Sequence, residues 1–110
     1  MFDITKAESK KVVGNIYVVN LHLPEDSGNF IVFRKKGKLD QYLLRNDEYI
    51  DYIKANDSII LIKTKINPVI AYYKILHKNG DSIISVNKLT KSDFIGYENI
   101  INIKYRFMSE

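Results

Sequence analysis

The chain has 110 residues, enough for one compact domain spanning residues 1–110, and its 45% hydrophobic and 27% charged residues are typical of a folded globular protein. It has no cysteine, which excludes a disulfide scaffold, a thiol nucleophile and a cysteine-based zinc site. The apolar runs are far shorter than the ~20 residues of a membrane helix, and the polar N-terminal stretch lacks a signal-peptide core. We therefore expect a soluble cytoplasmic protein with no membrane partner.

The charge balance is mildly basic, with 17 Lys and Arg against 13 Asp and Glu and a net charge of +4. This balance favours a polyanionic partner, although a soluble surface with a small lysine excess gives the same number. Lysines outnumber arginines 14 to 3. Sequence-specific reading of the DNA major groove depends strongly on arginine, so this composition disfavours it.

The first apolar block covers residues 12–23 and is interrupted by Gly14. Both alternating sets of residues in it are apolar, which predicts a central strand buried on both faces. Residues 24–28 contain proline, glycine and two carboxylates and are typical of a loop.

The next apolar block, residues 29–36, fits two patterns. Alternation predicts a strand, whereas helical spacing puts Phe30 and Phe33 on one face. Asn29 can cap a helix, and Gly37 can end it in the left-handed conformation. The pattern favours a short helix, with a strand as the alternative.

A second helix is predicted at residues 46–55. Asn46 can cap it, two acidic residues lie in its first turn, and Tyr49, Ile50 and Ile53 share one helical face. The remaining blocks are typical of strands, at residues 58–63, 69–76, 81–86 and 99–107. Asn67-Pro68 separates two of these blocks, and Asn79-Gly80 is a strong hairpin signal because both turn positions require positive φ.

These elements predict an α+β, β-rich domain of about six strands and two short helices. The simplest arrangement is a small, curled antiparallel or mixed barrel. Strand 99–107 would then have Ile101, Ile103, Tyr105 and Phe107 on one face.

The sequence contains no motif that indicates an enzyme. There is no GxSxG elbow, P-loop or GxGxxG fingerprint, and His22 and His77 lie in separate predicted strands without metal-ligand spacing. We predict no catalytic residue, no metal and no cofactor, and we expect His77 to be exposed beside the hairpin turn. A metal-free ribonuclease using His22 or His77 with a lysine is an alternative, because such enzymes leave almost no linear motif.

The densest basic run follows two phenylalanines and supports nucleic-acid binding. Cations can follow the phosphates and aromatic rings can stack on bases. One of two adjacent strand tyrosines should also face outward or line a cavity. Alternatively, the rings fill the core and the lysines are solvated. The candidate nucleic-acid-binding residues are Asn29, Phe30, Arg34, Lys35, Lys36, Tyr72 and Tyr73.

The order of features from residue 15 to residue 75 resembles the EVE domain, a PUA-like family related to YTH domains. A strand leads to a Pro24-Glu25 loop, an Asn29-Phe30 pair and a basic stretch that ends in glycine. The segment 53–61 then resembles the family's entry into its next barrel strand, and residues 69–75 resemble the strand that follows. The chain departs from the family at three positions, where Phe30 replaces tryptophan and Asn56 and Ala71 replace glycine.

The resemblance implies a PUA-like barrel that binds nucleic acid, including a flipped or modified base. Asn29, Phe30 and one of Tyr72 or Tyr73 would then form the base pocket, with the cations at 34–36 on the phosphates. An alternative is a small protein-binding inhibitor or regulator from a phage or mobile element, because the domain is short and has few recognisable sites. That alternative predicts an exposed apolar or acidic patch at a sheet edge.

Overall fold

The computed structural model describes residues 8–22, 27–44, 49–66 and 69–108. In chain order, these residues form β1 (Glu8–Val13), β2 (Ile16–His22), β3 (Ser27–Phe33), β4 (Gln41–Tyr42), β5 (Tyr49–Ala55), β6 (Ile59–Ile66), β7 (Val69–Lys78), β8 (Ser82–Leu89), α1 (Lys91–Ile100) and β9 (Tyr105–Met108).

The strands build two antiparallel sheets that pack face to face. The first sheet has the order β1-β2-β3-β4, and the second has the order β8-β7-β6-β5-β9. The predicted β-rich α+β class is confirmed. The sheets pack as a sandwich, and no hydrogen-bonded ladder joins them in the described residues, so the small curled barrel stays a prediction.

The core lies between the sheets and is made by inward-facing residues of both. Ile16 and Ile31 come from the first sheet, and Ile60, Ile62 and Ile75 come from the second, each at most 2% exposed. Burying an aliphatic side chain of this size stabilises the fold by roughly 1.5–3 kcal/mol. Strand alternation therefore fixes which side chains face outward at the sheet edges.

The first predicted strand is two strands. β1 ends at Val13, Gly14 turns the chain at φ 53°, and β2 begins at Ile16. β2 is an inner strand of its sheet, as predicted for this block. The glycine that interrupts the apolar run is the turn of a hairpin.

Both predicted helices are wrong in the described residues. Residues 29–33 belong to β3, where Phe30 pairs with Val19 in β2, and residues 49–55 form β5; residues 45–48 lie outside the described part. In β5 a bulge between Ile50 and Tyr52 shifts the alternation. Ile50 and Ile53 therefore both face the core, at a three-residue spacing that also fits a helix.

The remaining strand predictions are confirmed at β6, β7 and β8, although each strand is longer than expected. Asn79 and Gly80 form the predicted hairpin turn, with φ of 50° and 74°. The predicted last strand is shorter, because α1 takes its first residues. Residues 67–68 and 23–26 lie outside the described part.

The α1 helix was not predicted and covers the outer face of the second sheet. Thr90 caps it by accepting a hydrogen bond from the Asp93 N–H at 3.1 Å. Its buried residue, Phe94, packs between the rings of Tyr52 and Tyr72, at centroid distances of 5.9 and 4.8 Å. Across residues 8–22, 27–44, 49–66 and 69–108, no helix has the length and apolar character needed to cross a membrane.

Candidate functional site

The two sheets leave a groove where the edge strands β1 and β9 meet, which we call the cationic groove. Its volume is about 310 Å³, and it is lined by Lys10, Lys11, Val12, Ile53, Lys104, Tyr105, Arg106 and Phe107. Four of these side chains are cations and two are aromatic. The groove therefore offers positive charge above an apolar floor.

The cations of the groove differ in how they are engaged. The Lys104 ammonium lies 2.7 Å from an Asp57 carboxylate oxygen, and this hydrogen bond lowers the pKa of Asp57 below its ordinary value. The Lys10 ammonium lies 5.8 Å above the Phe107 ring centroid. Among the described residues, neither Lys11 nor Arg106 pairs with a carboxylate.

Edge positions bring these cations together. Lys104, at the entrance to β9, is fixed by its backbone N–H, which donates to the Ala55 carbonyl at 2.8 Å. Within β9, Phe107 pairs with Ile53 in β5. The final alternation of basic and aromatic residues is visible in the sequence, but its meeting with β1 is a tertiary contact that sequence reasoning missed.

The predicted pair Asn29 and Phe30 is buried in β3. Asn29 is 8% exposed and accepts a hydrogen bond from the Asn20 side chain at 2.8 Å. Phe30 is 5% exposed and packs against Tyr42 and Tyr49 at centroid distances of 5.7 and 5.6 Å.

The predicted cations at 34–36 differ in their surroundings. Arg34 donates two hydrogen bonds to Asp40, at 2.9 and 2.8 Å, and lies 4.6 Å from the Tyr17 ring centroid. These bonds raise the pKa of Arg34 and lower that of Asp40. Lys35 and Lys36 are exposed, so two of the three predicted cations face solvent.

Tyr72 and Tyr73 lie on opposite faces of β7, as strand alternation requires. Tyr72 packs beneath α1 against Phe94, and Tyr73 packs against the core. Asn29 and Phe30 belong to the other sheet, so the structure does not bring the predicted aromatic residues together into one pocket.

The lysines beneath α1 already have partners. Lys54 pairs with Glu98 of the helix at 2.5 Å, and Lys74 donates to the Tyr97 hydroxyl at 2.9 Å. Burial, with Glu98 nearby, raises the pKa of Tyr52 to about 12. These contacts hold the helix on the sheet and leave less free cationic charge here than in the cationic groove.

A second cleft lies between the first sheet and β8, and we call it the β8 cleft. Its volume is about 400 Å³, and it is lined by Phe33, Lys35, Gln41, Tyr42, Leu43, Asp81, Ser82, Ile83 and Val86. Lys35 and Asp81 contribute one charge of each sign. This cleft has little preference for an anion over a cation.

The prediction that His77 is exposed is wrong, because the ring is 3% exposed. Its Nδ1 accepts a hydrogen bond from the Gly80 N–H at 2.8 Å. Its Nε2 lies 2.9 Å from the Asn56 carbonyl, to which it donates. Burial lowers the pKa of His77 below 6.5, so the neutral ring is favoured and both nitrogens are engaged by the backbone.

The described residues show no constellation of metal ligands. No group of three or more His, Cys, Asp or Glu residues in that part of the chain is placed to hold a metal ion. The side chain of His22 lies outside the described residues.

Searches against known protein families, curated proteins and solved structures found no match to this chain. Its function must therefore be inferred from the chemistry of its own surfaces.

Proposed function

We propose that this protein is a small, non-catalytic nucleic-acid-binding module and that the cationic groove holds its ligand. The observation that carries the proposal is the edge where β1 meets β9: Lys10 lies over the Phe107 ring, and Lys11, Lys104 and Arg106 are further cationic residues of the groove. No carboxylate lines the groove in the described residues. Phosphates would replace water and counterions at these cations, which favours binding and makes it salt-dependent.

The floor of the groove favours a single strand over a duplex. Tyr105 and Phe107 are partly exposed, and aromatic rings within a basic groove are the usual platform for unpaired bases. A base would replace the Lys10 ammonium above Phe107, and that ammonium would then be free to contact a phosphate.

The resemblance to EVE domains supports the same class of ligand, and a PUA-like relationship with recognition of a modified base is the finer form of the proposal. A flipped base at Asn29 and Phe30 would need these buried side chains to be uncovered first. The cationic groove needs no such rearrangement. We therefore assign phosphate binding to the groove and expect weak base specificity.

The test is a fluorescence-anisotropy titration with a short oligothymidylate at two salt concentrations. The double variant Lys10→Gln, Arg106→Gln should weaken binding about tenfold or more and reduce the salt slope by about 2. The matched control, Lys35→Gln with Lys36→Gln, removes the same charge outside the groove and should weaken binding less than about threefold.

Two outcomes contradict the proposal. Equal loss in the two double variants would mean that net charge alone attracts the oligonucleotide. Absence of binding by the wild-type protein at low salt would reject nucleic acid as the ligand.

A protein-binding inhibitor or regulator is the second candidate, because apolar side chains are exposed at a sheet edge. Ile84 and Val86 in the edge strand β8 are 67% and 39% exposed, and Val86 lines the β8 cleft. Free sheet edges can accept a strand from a partner. The ribonuclease alternative has less support, because buried His77 has both ring nitrogens bonded to the backbone.

A further inference from the structure

Three turns meet at the end of the sandwich behind the cationic groove, and we call them the turn junction. They are the β1–β2 turn at Gly14 and Asn15, the β5–β6 turn at residues 56–58, and the β7–β8 turn at Asn79 and Gly80. The Asn15 N–H donates to the Gly80 carbonyl at 2.9 Å. A Cβ on Gly80 would lie 2.3 Å from the Val13 carbonyl oxygen, so the first and third turns are in direct contact.

The His77 side chain forms hydrogen bonds with two of these turns. Its Nδ1 takes the Gly80 N–H and its Nε2 donates to the Asn56 carbonyl. The His77 backbone N–H also donates to the Ser58 carbonyl at 3.0 Å. Only the neutral ring protonated at Nε2 satisfies both side-chain bonds, because protonation turns Nδ1 from an acceptor into a donor facing another N–H.

The turn junction supports both walls of the cationic groove. On one side, Gly80 contacts the Gly14 turn that ends β1, the strand that carries Lys10 and Lys11. On the other side, the Asn79 N–H donates to the Asp57 carbonyl at 3.0 Å, and the Asp57 carboxylate holds Lys104. One buried imidazole therefore underlies two strands that are far apart in the sequence.

We propose that His77 is a positioning residue for the cationic groove, and that its protonation releases the Gly80 turn and weakens polyanion binding. The proposal rests on the proposed function, which supplies the ligand. Loss of the Gly80 bond releases the Gly14 turn that ends β1, and Lys10 then shifts relative to Lys104 across the cationic groove.

The charged surroundings of His77 define the pH window. Asp57 on the β5–β6 turn favours the protonated ring, but burial has the larger opposing effect. The β1–β2 turn contributes Gly14 and Asn15, which do not titrate. Lys78 and Asp81, which flank the β7–β8 turn, are both exposed. Lys104 and Tyr105 of the β9 region reach Asp57 from the far side.

The lowered pKa of His77 determines how the stability of the closed junction changes with pH. Above the ordinary value of 6.5, both the closed and the opened junction hold a neutral ring, and the closed form has its full stability. As the pH falls below 6.5, the opened form takes up a proton more readily than the closed form. Opening therefore becomes more favourable until the pH reaches the lowered pKa that His77 has in the closed junction.

The experiment measures oligothymidylate affinity at about pH 7.5 and about pH 5.5, on either side of the histidine range. Thymine does not titrate there, so changes report the protein. Wild-type binding should weaken about fivefold or more on acidification, although added positive charge alone would strengthen it. His77→Gln can keep both hydrogen bonds without titrating, so the affinity of this variant should not weaken on acidification.

Wild-type affinity that is unchanged or tighter at the lower pH would overturn the inference, as would an equal loss in His77→Gln. Hydrogen exchange at the Gly80 and Asn15 amides of the wild-type protein provides a second readout that needs neither ligand nor variant. Their protection should fall below pH 6.5 more than that of core amides such as Ile75. If this protection does not change, the inference fails. If the protection falls but the protein does not bind the oligonucleotide at about pH 7.5, the junction responds as proposed and only the proposed function fails.

Discussion

The two places where the sheets meet at their edges are built in opposite ways. At the cationic groove, β1 meets β9; the Asn15 N–H of the first sheet donates to the Gly80 carbonyl of the second, and the Asp57–Lys104 pair fixes the entrance to β9. At the β8 cleft, the first sheet ends in the two-residue strand β4, and the adjoining loop is open to solvent, with Leu39 96% exposed. The same sandwich therefore combines one braced, charged edge with one open edge of little net charge.

The difference follows from where polar groups can be satisfied. Where turns pack closely against one another, as at buried Gly80, their backbone groups bond to each other instead of to water. A loop that lies on the surface meets no such demand. We expect stability to depend strongly on the turn junction and weakly on the β8 cleft.

The largest expected effect on stability distinguishes Gly80 from Gly37, although both have a positive φ. Gly80→Ala should lower the free energy of unfolding by about 3 kcal/mol, because its Cβ would meet the Val13 carbonyl carbon at 2.5 Å in addition to the cost of a positive φ. Gly37 has φ 77° with no atom within 4 Å of its Cβ position, so Gly37→Ala should cost only about 1 kcal/mol. Urea unfolding measures both, and equal losses would show that the turn junction is not a close contact.

A smaller loss of stability is expected from breaking either of two ion pairs, Arg34–Asp40 and Lys104–Asp57. Asp40→Asn should lower the free energy of unfolding by about 1 kcal/mol, because Arg34 binds Asp40 through two hydrogen bonds. Asp57→Asn should cost less, because Lys104 makes a single, more exposed bond. The pKa of each carboxyl is lowered from 3.8, so each contribution is present above that value and disappears as the pH falls through the folded-state pKa.

Thermal unfolding of both Asp variants at neutral pH and below pH 3.8 tests this comparison. Each variant should approach the wild-type stability as the pH falls. A difference from wild type that persists after both carboxyls are protonated would assign the loss to packing instead of charge.

The smallest expected effect is at the open edge. Ile84→Thr replaces a side chain that is 67% exposed in β8, and it should change the free energy of unfolding by less than about 0.5 kcal/mol. Oligothymidylate affinity should stay the same. A loss above about 1 kcal/mol would show that Ile84 packs against a neighbour and that this edge is closed in solution.

The sequence predicted the β-rich class, β6, β7, β8 and the Asn79-Gly80 turn, because those signals are local and agree with the tertiary pairing. It failed at β3 and β5, where local helix signals compete with pairing. Asn29 and Gly37 can flank a helix, but β2 pairs with the whole of β3 and gives residues 30–33 apolar partners. In β5 the bulge after Ile50 produces a helix-like spacing in a strand.

The α1 helix and the candidate site were missed for different reasons. α1 buries one described side chain, Phe94, so its apolar periodicity is weak, although Thr90 is a recognisable cap. The cationic groove joins β1 to β9, and no linear spacing encodes that meeting. His77 is buried because β7 continues past Leu76, so that His77 faces the core on the same side of the strand as Ile75. The hairpin signal in the sequence does not show how far this strand extends.

The order of strands has a consequence for how the molecule is assembled. From β1 to β4 and from β5 to β8, the strands pair with their sequence neighbours, and such hairpins form on a timescale of about 1–10 μs. β9 instead returns across the chain to β5, where Tyr105 pairs with Ala55, and contacts of such long range form late. We therefore expect the two meanders to form before the cationic groove exists, so that binding competence is the last property the folding chain acquires.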